Sequence, residues 1–130
     1  MTLEQTKHNL KARMGYEITT SKGFTWTAVP TGWLDTTSKL VWRYEDEPGE
    51  YTFDDAVSRF GESLPTKEEY EEAEKHGIRE VLNLSGWRYW SASVYSLTRS
   101  FAWYFYSNYG YVYNLNRNTP NSVRCVGRNI

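Results

Sequence analysis

The sequence predicts an α+β domain on three observations. Two capping boxes, Thr2 with Gln5 and Thr66 with Glu69, each open a stretch of helical spacing. Short runs rich in β-branched and aromatic residues, parted by turn residues, occupy residues 16 to 44. From Trp87 onward the pattern changes to period 2, the strand signature. With 130 residues, of which 39% are hydrophobic, the chain fits one domain around one core.

In chain order, the Thr2 hydroxyl and the Gln5 side chain cap a helix over residues 3 to 14, which Gly15 closes. Residues 16 to 20 and 24 to 29, joined by Ser21-Lys22-Gly23, read as a hairpin and complete an N-terminal unit over residues 1 to 34. Residues 30 to 38 read as turn and residues 39 to 44 (KLVWRY) as a further strand. Residues 45 to 50 (EDEPGE) are an acidic loop punctuated by Pro48-Gly49, and not a site. Thr52 caps a helix over residues 53 to 60, with Asp54 and Asp55 favoured in its first turn by the macrodipole and Gly61 at its end. The helix over residues 67 to 76 has a narrow apolar face at Tyr70 and Ala73, and its acids form a solvated surface.

Within residues 102 to 106 (AWYFY), Trp103 and Phe105 share one face and Tyr104 and Tyr106 the other. After the turn at residues 107 to 110, Val112 faces one way and Tyr111, Tyr113 and Leu115 the other. Residues 122 to 127 (SVRCVG) close the chain as a strand. Trp26, Trp33, Trp42, Trp90, Phe101, Trp103 and Phe105 are expected in the core.

Charge and aromatic residues are unevenly spread. The last acid is Glu80, and beyond Trp87 the only charged residues are Arg88, Arg99, Arg117, Arg124 and Arg128. Of 22 aromatic residues, 12 fall between Trp87 and Tyr113, so the distinctive surface belongs to the last third. No stretch approaches the roughly 20 apolar residues that cross a bilayer, and residues 1 to 30 lack a signal-peptide apolar region, so membrane insertion is not expected. The single Cys125 excludes an intramolecular disulfide and any Cys-based metal cluster. His8 and His76 stand on predicted helices without carboxylate or Cys at ligand spacing, which points to surface or capping roles. No Ser-His-Asp pattern, Gly-rich phosphate loop or carboxylate pair stands out. The expectation is a protein that is not an enzyme, with no catalytic residue, no metal and no cofactor.

Three segments in order, Asp35-Thr36-Thr37-Ser38-Lys39-Leu40-Val41-Trp42, Leu64-Pro65-Thr66-Lys67-Glu68-Glu69-Tyr70, and Tyr89-Trp90-Ser91 through Ala102-Trp103 to Val123-Arg124-Cys125-Val126, resemble the C-type-lectin-like fold of the formylglycine-generating-enzyme branch. Bacterial domains of that branch read D-x-x-T-x-L-x-W, L-P-T-x-x-E-[WY], W-S-S, A-W-x-x-F and V-R-C-V. The resemblance spans about residues 35 to 127 and implies two or three helices with a twisted antiparallel sheet, whose C-terminal strands pair with an N-terminal one. It does not bring the branch's oxidase activity. The enzymes use two Cys upstream of the terminal strand, and here Cys125 matches only that strand's structural Cys. Calcium-dependent sugar binding is not implied either: Glu47-Pro48-Gly49 departs from the lectin E-P-N pattern, no W-N-D occurs, and the last third offers no carboxylate to a cation that takes six to eight oxygens.

The chain also resembles the variable proteins of diversity-generating retroelements, in which a scaffold of this fold carries a hypervariable C-terminal surface. Adenine-directed mutagenesis of Asn-type codons yields Tyr, Ser, Asn, Asp, Thr, His, Leu and Arg at scattered positions. Residues 89 to 117 hold such a mixture without Lys, Glu or Gln. The resemblance implies a variable region over residues 87 to 118 and a fixed terminal strand over residues 122 to 127.

The candidate ligand-binding residues are Tyr89, Tyr95, Ser96, Leu97, Thr98, Arg99, Tyr104, Tyr106, Asn108, Tyr109, Tyr111, Tyr113, Leu115 and Arg117. Tyr supplies contact area at low entropy cost, Ser and Asn adapt hydrogen bonds, and Arg anchors. Ordinary strand propensity also favours Tyr, but a contiguous aromatic surface on a soluble monomer usually marks a binding site. The expected partner is a protein or glycan on another cell or particle, with the chain displayed at a cell or virion surface. Self-association or fusion to an anchoring domain would add avidity. A domain of the same fold with fixed specificity is the alternative. Single-stranded nucleic acid, gripped by Tyr stacking and Arg, is disfavoured because only Arg99 and Arg117 accompany the Tyr surface.

Overall fold

The structure, a computed structural model, describes residues 15–128; the expected helix over residues 3 to 14 and His8 lie outside them. The class is α+β, with few helices and antiparallel sheets. Strands β1 (Glu17–Thr19), β2 (Thr25–Val29), β3 (Gly32–Asp35), β4 (Val41–Arg43) and β8 (Val126–Gly127) form one sheet in the order β1-β2-β3-β4-β8. Strands β5 (Arg88–Val94), β6 (Phe101–Tyr106) and β7 (Tyr111–Asn116) form a second. Between them in sequence come α1 (Phe53–Phe60), a 3-10 turn (Gly61–Ser63), α2 (Lys67–Lys75) and the short α3 (Ile78–Val81). The strands thus divide between two antiparallel sheets instead of forming one.

The helices begin where local chemistry dictates. Thr52 Oγ1 accepts from the Asp55 N–H at the start of α1, and Thr66 and Glu69 exchange both bonds of a capping box at the start of α2. Gly77 carries the chain from α2 into α3 at φ +85, and a Cβ there would stand 2.6 Å from Thr20.

Residues 30 to 38 are not turn throughout. Two residues, Pro30 and Thr31, suffice to reverse the chain, and Gly32–Asp35 then returns as β3 with Trp33 opposite Trp42. Gly32 allows this approach, since a Cβ would fall 2.0 Å from the Trp42 carbonyl oxygen.

Two hydrophobic clusters sandwich the second sheet. On one face Tyr89 and Phe105 join Trp26, Trp33, Trp42, Tyr70, Ile78 and Val126, with Tyr70 stacked on Phe105 at 5.0 Å. On the other, Trp90, Ala102 and Tyr104 pack with Phe53 and Ala56 of α1, Leu64, Val123 and Cys125. Register explains the split. Tyr89, Phe105 and Val112 are cross-strand partners, as are Trp90, Tyr104 and Tyr113, so the parity read from the sequence holds while both faces are partly covered. Trp90 and Phe105 are fully buried, whereas Phe101 and Trp103, expected in the core, are only half-buried. Trp103 lies at the rim, with Lys67 Nζ 4.5 Å from its ring and Tyr95 edge-on at 5.4 Å.

The terminal strand is shorter than residues 122 to 127, because only Val126–Gly127 pairs as a ladder, with β4. The residues before it stitch the sheets together: Ser122 donates to Arg88 and accepts from Trp90, and the Val123 and Cys125 carbonyls accept from Glu47 and Arg43.

His76 is not a surface residue. Its ring is buried, with Nδ1 2.6 Å from Asp35 Oδ2, and stacks on Phe24 at 4.0 Å. Its carbonyl accepts from Trp26 Nε1 and Thr20 Oγ1, so this one residue pins the C-terminal end of α2 to the first sheet.

Candidate functional site

The sequence candidates separate into buried members and two exposed groups at opposite ends of the second sheet. Tyr89 is buried on the face away from the exposed tyrosines, its hydroxyl donating to Asp46 at 3.0 Å. Burial first, and the Asp46 charge second, hold that phenol far above its ordinary pKa. Tyr104 is 8% exposed because α1 and its neighbours roof that part of the sheet. Leu115 is half-buried against the same cluster. Arg117 is a brace, bonding the Asp54 carboxylate and the Arg99 carbonyl and lying over the Phe53 ring at 4.9 Å. These four were expected on an open binding surface; tertiary packing takes them out of it.

The first exposed group is Tyr106, Asn108, Tyr109, Tyr111 and Tyr113, at the β6–β7 turn and along β7. Tyr106 is half-buried, and Tyr109, Tyr111 and Tyr113 are 70%, 46% and 57% exposed. Their rings touch in series: Tyr106 with Tyr109 at 5.2 Å, Tyr106 with Tyr111 stacked at 5.5 Å, and Tyr109 with Tyr111 edge-on at 6.1 Å. Trp87, 51% exposed, meets Tyr106 edge-on at 5.8 Å and extends the cluster. The turn is held by the Asn108 carbonyl, which accepts from Arg79.

The second group is the β5–β6 loop, with Tyr95 half-buried and Ser96, Leu97, Thr98 and Arg99 exposed, Leu97 at 80%. The six residues of β6 separate the β6–β7 turn from the β5–β6 loop, roughly 20 Å at about 3.3 Å per residue. They are therefore two patches, not one.

Sequence reasoning missed Trp87 and Arg88. Parity held the signal for Arg88: it alternates with Tyr89 and pairs with Tyr106, which pairs with Tyr111, so it belongs to the tyrosine face. Its Nε is buried without a hydrogen-bond partner, and its guanidinium carbon lies 5.2 Å from the Trp87 ring centroid.

The basic character of the last third also resolves. Arg117 pairs with Asp54, Arg124 with Asp46 at 2.7 Å, and Arg128 with Glu69 at 2.7 Å, so three of the five arginines tie this segment to acids upstream. Arg88 and Arg99 have no carboxylate partner among the described residues. Asp46, in the loop read from the sequence as acidic and not a site, is an internal hub that also accepts from Tyr89 and Ser85.

Compared with known proteins, no protein-family model matches the chain, and no curated protein matches it significantly. Among the described residues, no helix is long and apolar enough to cross a membrane.

Proposed function

We propose that the chain is a C-type-lectin-like binding domain, not an enzyme, that recognises a macromolecular ligand through the face of β6 and β7, as in the variable proteins of diversity-generating retroelements. The observation that carries this reading is the contiguous run Trp87, Tyr106, Tyr109 and Tyr111, whose rings pack on one another while leaving their outer surfaces to solvent, with the exposed Tyr113 two residues further along β7. Aromatic surface gathered in this way is costly to hydrate, and it gives a ligand large contact area at little loss of side-chain entropy. The ordered sequence motifs support the lectin-like part of the reading, together with an α+β class whose last strand returns to an N-terminal one. The β5–β6 loop, with Leu97 and Arg99, is a second contact region for a broad partner.

The test is nucleotide sequencing of the 3′ end of the gene and its flank in many copies from one population. Substitutions confined to the codons of the exposed set, Tyr95 to Arg99, Tyr106, Asn108, Tyr109, Tyr111 and Tyr113, at positions where a nearby repeat carries adenine, are the expected result. An invariant 3′ end without such a repeat overturns the retroelement reading in favour of a fixed-specificity domain.

A further inference from the structure

The chemistry of the ligand follows from Arg88, an inference that rests on the binding face proposed above. Arg88 lies in register with Tyr106 and Tyr111 on the edge strand β5, flanking the aromatic run, its Nε is buried without a partner, and its guanidinium has no carboxylate neighbour among the described residues. Its charge acts on the Tyr104 hydroxyl, partly offsetting the burial that raises that phenol. A guanidinium is a fixed planar fork of donors with no acceptor, matched in shape to a carboxylate. The buried Nε lies out of a ligand's reach, so the outer ends of the fork, Nη1 and Nη2, are the donors offered, and no acid among the described residues takes them: Glu74, at the β6–β7 turn beside Gly110, is held by Arg79 at 2.7 Å and Lys22 at 3.6 Å.

We infer that Arg88 anchors a carboxylate of the ligand, and that this carboxylate is an Asp or Glu side chain on an acidic protein surface seated over Tyr106, Tyr109 and Tyr111. A protein partner is favoured over a sugar because Tyr109, Tyr111 and Tyr113 are broadly exposed, at 70%, 46% and 57%. Small ligands take concave sites, while Tyr, Trp and Arg on a broad face are the side chains that dominate protein interfaces.

The experiment selects a random 12-residue peptide library on the immobilised full chain, on Arg88→Gln, on Arg88→Lys and on the double variant Tyr109→Ser with Tyr111→Ser. In parallel, the full chain and the double variant are exposed to an array of sialylated and uronic-acid glycans. The expected outcome is enrichment of Asp- or Glu-containing peptides. Each should weaken at least tenfold when its acid is changed to Asn or Gln, at least tenfold on Arg88→Gln, and less on Arg88→Lys. If Arg88→Gln does not fold, the Arg88→Lys variant and the amide peptides decide. Peptides that bind without regard to acid, yet are lost on the double Tyr variant, overturn the carboxylate anchor and leave the binding face standing. Acidic glycans captured in place of peptides overturn the protein partner. Probes bound equally by the chain and the double Tyr variant, or no probe bound at all, overturn the binding face and this inference with it.

Discussion

The Arg124 guanidinium, 1% exposed, sits 2.7 Å from the Asp46 carboxylate and so fastens the end of the chain to a loop 78 residues upstream. Its remaining donors go to the carbonyls of Arg43, Tyr44 and Asn83, and Asp46 in turn accepts from the Tyr89 hydroxyl. Removing one partner of such a pair leaves a desolvated charge. Asp46→Ala should therefore destabilise by about 3–5 kcal/mol, and Tyr89→Phe, which removes both the bond to Asp46 and the one accepted from the Gly86 N–H, by about 2 kcal/mol. Denaturant titration of the purified chain checks both, and equal small losses would show that Arg124 finds another acceptor.

Exposed and buried tyrosines of the second sheet should respond in opposite ways. Tyr109→Ser and Tyr111→Ser should each change stability within about 0.5 kcal/mol, while abolishing binding of any ligand selected on the wild-type chain. Tyr104→Ala, which empties a place beside Trp90 and α1, should cost about 3–5 kcal/mol. Thermal melts beside a binding assay separate the two classes, and a reversal would mean that the roof over Tyr104 is misplaced.

Acid should loosen the contact between the C-terminal segment and α2. Burial alone would raise the Glu69 carboxyl, but hydrogen bonds from Arg128 and from Thr66 outweigh it and hold the pKa below its ordinary 4.5. Because the folded value is the lower one, this contribution is fully present above 4.5 and disappears as pH falls through the folded value. Arg128→Ala should lower stability at neutral pH and narrow its loss on acidification, as read from urea midpoints across that range. Thr66→Ala removes the cap as well and should cost about 1 kcal/mol at neutral pH.

The thiol of Cys125 should be unreactive in the native chain. Burial, reinforced by Glu47, pushes it up to about 11 from an ordinary 9.0. At pH 8 the thiolate fraction should then be about a hundredfold below that of the unfolded chain. The rate of reaction with an aromatic disulfide reagent, native against denatured, measures this directly, and comparable rates would refute it.

What was legible in the sequence was local. Thr52 and the Thr66–Glu69 box act within four residues, so α1 and α2 start where the sequence places them. Alternation assigned residues of β6 and β7 to the right shared faces. Alternation does not say which face another element covers, and so Tyr104 and Leu115 were read as open. Partners distant in sequence were equally illegible: Asp35 lies 41 residues from His76, and Asp54 lies 63 from Arg117. Strand β3 was hidden by its brevity, four residues lodged between Pro30-Thr31 and the Thr36 to Ser38 turn. The helix expected over residues 3 to 14 and His8 fall outside the described residues.

The division of the second sheet between two clusters sets which of its positions can change without cost to the fold. Strand β6 is read by the folded interior from both sides, so most of its letters are fixed by packing. Strand β7 and the two end loops are read mainly from outside. The alphabet open to change is thus a narrow ribbon of a few outward positions, set in a frame whose mistakes the core would reject.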